Sequence, residues 1–215
     1  MFEVGGTRVG LLTLSNCSVL HSPSPSRSEQ SKLGAAFFVR GKGTVLVESS
    51  TVSSEAGFGI WAVQKSAVSL KNTTLTGCGR SSAVAFEKST LSLEGCRILN
   101  GTPHGICARG NATVTVTSTE IAGAEKRAIY TYHSAALSVE DCVITGTLSL
   151  TTAAIQCDSL KPGDEGTAVI RGCTFKDNRG GDVSVTGTVR AEVQEEGAEI
   201  VVATEFANFA ERERD

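Results

Sequence analysis

Apolar residues recur along this chain in short alternating runs, and the runs themselves recur at a fixed interval. Val45-x-Val47-x-Ser49-Ser50-x-Val52 is followed by Val68-x-Leu70-x-Asn72-Thr73-x-Leu75 and Leu91-x-Leu93-x-Gly95-Cys96-x-Ile98. Two more copies start at Val114 and Leu137, so the step is 23 residues four times in succession. Outlying copies begin at Leu12 and Ala168. Eight residues before each run lies a second one, Phe37-x-Val39, Ile60-x-Ala62, Ala83-x-Ala85, Ile106-x-Ala108 and Ile129-x-Thr131. Period-two alternation predicts strands, and none of these runs continues at helical spacing. Three short strands per repeat, held in register, predict a coil that stacks on its neighbours, since one repeat cannot bury its apolar face alone.

Stacking turns equivalent positions into columns. One column reads Asn16, Ser49, Asn72, Gly95, Ser118, Asp141, Gly172, residue types that accept left-handed backbone or bond locally to it. It is predicted to be the corner between two strands. The next column, Cys17, Ser50, Thr73, Cys96, Thr119, Cys142, Cys173, is small and suits an inward corner. The expected fold is all-β, a single right-handed parallel β-helix of seven to eight coils, about 35 Å long at the strand spacing. Residues 1–193 are assigned to the helix and 194–215 to a C-terminal cap or tail, with a short helix over its apolar stretch as one form of it.

In its G-I-x-A and L-x-L-x-N-C-x-I segments the chain resembles the pectin-lyase-like right-handed parallel β-helix superfamily, over roughly residues 4–193. The resemblance implies that G-I-x-A is the first strand of each coil and that loops preceding it wall a substrate groove. It leaves function open, because the architecture hosts lyases, hydrolases, esterases and non-enzymatic modules. Two insertions break the repeat: ten extra residues between Leu14 and Val47, including a Ser/Pro run, and eight between Val139 and Ile170, split over 146–152 and 158–166.

Outward positions of the first strands carry the candidate chemistry. They hold Phe38, Arg40, Trp61, Val63, Val84, Phe86, Cys107, Arg109, Tyr130 and Tyr132, then Gln156 and Asp158, with the only Trp and both Tyr of the chain among them. An outward aromatic ladder marks an interface more often than a bare surface. Phe38, Arg40, Trp61, Val63, Val84, Phe86, Arg109, Tyr130 and Tyr132 are therefore expected to bind a protein partner. The alternatives are coverage by the chain's own Phe206/Phe209 tail or Pro-rich loop, and carbohydrate stacking. A polysaccharide-cleaving member of the superfamily is implied to need clustered aspartates here, and only Asp158 is offered. Arg40 and Arg109 are three coils apart, about 14 Å. Cys107 and His104 could form a thiol–imidazole pair, but no third group to orient them is evident. The expectation is a non-catalytic scaffold or protein-binding module, with a carbohydrate-binding or carbohydrate-cleaving protein as the alternative.

A formal charge of −3 provides no broad attraction for nucleic acid or anionic membranes, and neither is expected as a partner. No cofactor or metal is expected; the column cysteines are read as stacked core thiols. Hydroxyl-rich outer positions of the second strands are interrupted by Glu48, Lys71, Glu94, Glu140 and Arg171, which argues against a flat ice-binding face. Seven cysteines cannot all pair within one chain. Together with the lack of a visible leader this favours a reducing, intracellular compartment, although Asn16, Asn72, Asn100 and Asn111 begin N-x-S/T tripeptides. The uncapped first coil leads to the expectation of a longer chain or of a partner at that edge.

Overall fold

A computed structural model describes residues 1–6, 10–22, 34–195 and 197–203. Its strands, β1 to β24 in chain order, fall into three parallel sheets of nine, eight and seven strands. The first sheet contains β1 (Phe2–Gly6), β4 (Ala35–Gly41), β7 (Phe58–Ala62), β10 (Ala83–Glu87), β13 (His104–Gly110), β16 (Arg127–Tyr132), β19 (Ile155–Asp158), β22 (Val183–Thr186) and β24 (Ile200–Ala203). The second includes β17 (Ala136–Glu140), β20 (Thr167–Arg171) and β23 (Arg190–Gln194), and the third includes β18 (Val143–Thr145) and β21 (Thr174–Lys176). Neighbours within each sheet are three strands apart in sequence, as a three-sided coil requires, except β22 and β24, which are two apart. The described residues make seven complete coils and part of a further turn.

The 23-residue step is the hydrogen-bonded register itself. Val45 pairs with Val68, Val68 with Leu91, Leu91 with Val114 and Val114 with Leu137. The outlying copies join the same column, Leu12 beside Val45 and Ala168 beside Leu137. These side chains point inward and merge with Phe37, Ile60, Ile106, Ile129 and Ile155 of the first sheet into one continuous core. Each fully buried large aliphatic contributes about 1.5–3 kcal/mol. Because every coil has the same inward positions, the core extends along the stack without a seam.

All seven residues of the predicted corner column have positive φ, from 48° to 63°. Two further left-handed columns turn the other corners. Gly41, Gln64, Glu87, Gly110 and His133 follow the first strands, and Gly77, Asn100, Gly123 and Gly146 follow the third. The inward corner column is buried or half-buried, and from Ser50 onward its hydroxyls and thiols donate to the carbonyl two residues earlier, as Thr73 does to Lys71 and Cys96 to Glu94.

The apolar stretch expected to cap the stack begins instead as a strand. Over Ile200–Ala203, β24 pairs in parallel with β22, Val183 beside Ile200. The stacking thus continues past Val193. The Pro-rich loop and the Phe206/Phe209 segment lie outside the described residues.

Candidate functional site

The outer face of the first sheet carries a second apolar cluster, separated from the core by the sheet. Alternation along β4, β7, β10, β13 and β16 turns one residue in two outward, and parallel register stacks these residues coil upon coil: Phe38 beside Trp61, Trp61 beside Val84, Val84 beside Cys107, Cys107 beside Tyr130. Val84, Cys107 and Tyr130 form the buried centre, against which Phe58, Trp61, Phe86 and Tyr132 pack. Ring centroids of Phe38 and Trp61 lie 5.0 Å apart, those of Phe58 and Trp61 5.4 Å, and those of Tyr130 and Tyr132 5.0 Å.

Burial divides the predicted binding residues. Phe38, Trp61, Val63, Phe86 and Tyr132 are half-buried, and Arg40 and Arg109 are exposed. Val84 and Tyr130 do point outward, but at 1% and 7% exposure they are not surface residues. Their neighbours cover them: Arg127 stacks its guanidinium 4.3 Å from the Tyr130 ring centroid, and the larger side chains in adjacent coils close over Val84. Arg109 stacks 4.2 Å from the Phe86 centroid, and Arg40 pairs with Glu3 at 2.7 Å. The Trp61 indole N–H is buried and finds no partner among the described residues.

Beyond Tyr130 the face becomes polar. Arg127 is fully buried and its Nε donates to Gln156 Oε1 at 2.6 Å. Gln156 Nε2 donates to Asp158 Oδ2 at 3.1 Å, and Thr186 Oγ1 donates to Asp158 Oδ1 at 2.7 Å. Burial, reinforced by the Asp158 carboxylate, holds the Tyr130 phenol well above its ordinary pKa. Alongside this network lies a cavity of about 370 Å³, lined by Arg127, Gln156, Ser184, Gly181, Thr151 and Glu199 among others. The insertion at 146–152 supplies one wall, through Thr151 and Thr152. Arg127 is the first residue of β16, paired in register with His104 of β13, and belongs to none of the outward columns that the alternation singles out.

Asp158 and Gln156, expected at the outer surface, are both buried in this network. Glycoside hydrolysis needs two carboxyl groups facing one bond. Among the described residues, the cavity lining offers one, Glu199. The imagined thiol–imidazole pair is likewise inside the protein rather than in an open loop. His104 opens β13, its ring is 5.4 Å from Tyr130, and burial followed by the charges of Arg127 and Lys126 pulls its pKa down to about 3. Burial pushes the Cys107 thiol up to about 12. A thiol that burial keeps un-ionised is the opposite of an activated nucleophile.

These features define a parallel β-helix with a decorated first-sheet face. Residues 3–159, well over half of the chain, match the family described as Right handed beta helix region, and the chain belongs to that family. Comparison with curated proteins found no match.

Proposed function

We propose that this β-helix is a non-catalytic scaffold that seats a protein partner on the outer face of its first sheet. The observation that carries this reading is the apolar cluster outside the core: Val84, Cys107 and Tyr130 form a floor, Phe58, Trp61, Phe86 and Tyr132 pack half-open against it, and Phe38 extends it from Trp61. A continuous aromatic patch of this kind gains most when a partner completes its burial. Arg40 and Arg109 lie at its margin, where cations orient an approaching partner more than they tighten it.

A photo-crosslinking residue in place of Phe38 tests the reading in extract from the native source. The control replaces Leu46, which is exposed on the second sheet. A discrete adduct from position 38 that is absent from position 46, and lost in Trp61→Ala/Phe86→Ala, is the expected result. Equal labelling from both positions, or none, removes the proposal.

A second reading rests on the polar cavity beside Arg127. Its mixture of guanidinium, amide, hydroxyl and carboxylate groups suits the hydroxyls of a short oligosaccharide. Calorimetric titration with uronate and neutral oligosaccharides distinguishes the two: heat that disappears in Ser184→Ala supports a sugar site, and no heat at millimolar ligand dismisses it.

A further inference from the structure

Cysteines occupy four positions of the inward corner column, and in one place two of them fall in successive coils. Cys142 lies between β17 and β18, and Cys173 between β20 and β21. Glu140 pairs with Arg171 on one side of the corner and Val143 with Thr174 on the other, so the two cysteines stand directly one above the other. The Thr174 N–H donates to the Cys142 carbonyl at 2.8 Å, holding the two backbones together at that point. Parallel neighbours are about 4.8 Å apart, inside the Cα separation a disulfide accepts, and their β-carbons point the same way. The β-carbons need to close from about 4.8 Å to the range of about 3.5–4.5 Å that a disulfide spans.

Both thiols also adopt the same local arrangement. Cys142 Sγ donates to the Glu140 carbonyl at 3.2 Å and Cys173 Sγ to the Arg171 carbonyl at 3.4 Å. Cys142 is buried, whereas Cys173, nearer the end of the stack, is half-exposed. Cys173 is thus the more accessible of the two. Contact between the sulfurs favours loss of one proton from the pair: interaction with Cys173 holds the Cys142 thiol below its ordinary range, and the partner thiol is held above it. The Glu195 carboxylate accepts the Cys173 backbone N–H at 2.7 Å and opposes ionisation at that end.

We propose that Cys142 and Cys173 are a disulfide-forming site, which a low-molecular-weight disulfide oxidises to a bond between successive coils. One proton leaves the pair at Cys142 Sγ, and as Cys173 meets the reagent the Cys142 thiolate takes the Cys173 proton across the contact, which passes the negative charge to the outer sulfur. The Cys173 thiolate attacks the reagent's S–S bond, forming a mixed disulfide and expelling one reagent thiolate. Cys142 Sγ, deprotonated in turn, attacks Cys173 Sγ and expels the second. Two cysteine thiols have then lost two protons and two electrons, and one reagent disulfide has become two thiols. The bond clamps the coil that carries both the 146–152 and 158–166 insertions and Gln156 of the cavity lining.

Oxidised glutathione is the probe. Folded protein is incubated with it, unfolded in N-ethylmaleimide and mapped by mass spectrometry. The expected product is a peptide pair joined through 142 and 173, with the other five cysteines blocked by maleimide. In Cys142→Ser, glutathione is expected to remain attached at Cys173, because the resolving sulfur is gone. Ser50 occupies the same column natively and is buried, so serine is a residue the corner accommodates. Maleimide on both cysteines of the wild-type protein, or glutathione persisting on wild-type Cys173, overturns the proposal without reference to any variant.

Discussion

The side-chain oxygen of Asn72 occupies the space in which a β-carbon on Gly95 would stand, 2.5 Å from its ideal position. Asn72 and Gly95 are successive members of the corner column, and Asp141 Oδ1 meets the equivalent point of Gly172 at 2.4 Å in the same way. The asparagine or aspartate of one coil thus leans into the vacancy left by the glycine of the next. Gly95 also has φ of +61°. Gly95→Ala is expected to cost about 1–2 kcal/mol for left-handed backbone alone, and more for the collision. In an Asn72→Gly background the collision is gone, so the same substitution is expected to cost less. Urea unfolding of the four proteins of this cycle measures the difference; equal costs in both backgrounds would show that the two corners are not coupled.

Arg127 holds up the polar end of the first-sheet face. Its removal leaves Gln156 Oε1 buried without its donor and uncovers the Tyr130 ring. Arg127→Ala is expected to destabilise the protein by about 3–5 kcal/mol, the range for stripping one partner from a buried charged network. Arg127→Lys is expected to recover little, since an ammonium lacks the planar group that stacks on the ring. Thermal unfolding of both variants provides the measurement.

His104 makes stability depend on pH. Its folded pKa, about 3, is below the ordinary 6.5, because burial disfavours the imidazolium. Between those values the unfolded chain binds the proton and the folded one does not, so acid favours unfolding. The contribution is fully present above about pH 6.5 and is lost as pH falls towards about 3, at up to about 1.4 kcal/mol per pH unit. His104→Leu is expected to show a shallower loss than wild type when unfolding free energy is followed from pH 7 to pH 4. An unchanged slope would mean that the imidazole is not buried as neutral.

The floor and the margin of the aromatic patch are expected to respond differently. Tyr130→Ala opens the buried centre and is expected to cost about 3–5 kcal/mol. Arg109→Ala loses an exposed stacking contact with Phe86, worth about 0.5–1 kcal/mol. Chemical unfolding separates them; similar losses would place Arg109 inside the fold rather than at its edge.

Period two within the runs and period 23 between them were enough to specify strands, register, inward and outward faces, and one corner. Seven residues of that corner, from Asn16 to Gly172, announce themselves by type. The corner after the first strands does not: Gly41, Gln64, Glu87, Gly110 and His133 share a backbone angle but no chemistry. Gln, Glu and His in left-handed backbone carry no sequence signal, because the stack imposes the angle on whatever residue stands there. The outward direction of Val84, Tyr130, Gln156 and Asp158 was legible, but their burial was not.

The sequence by itself determined the β-helix, because a coil that repeats every 23 residues repeats its hydrogen-bonding partners and its buried side chains together. Only the tertiary structure decided which outward residues remain at the surface. Pleating dictates the direction of a side chain locally, whereas its exposure depends on what other coils and loops place over it. Thus Arg127 comes to lie over Tyr130, and Gln156 and Asp158, which point outward, end up buried.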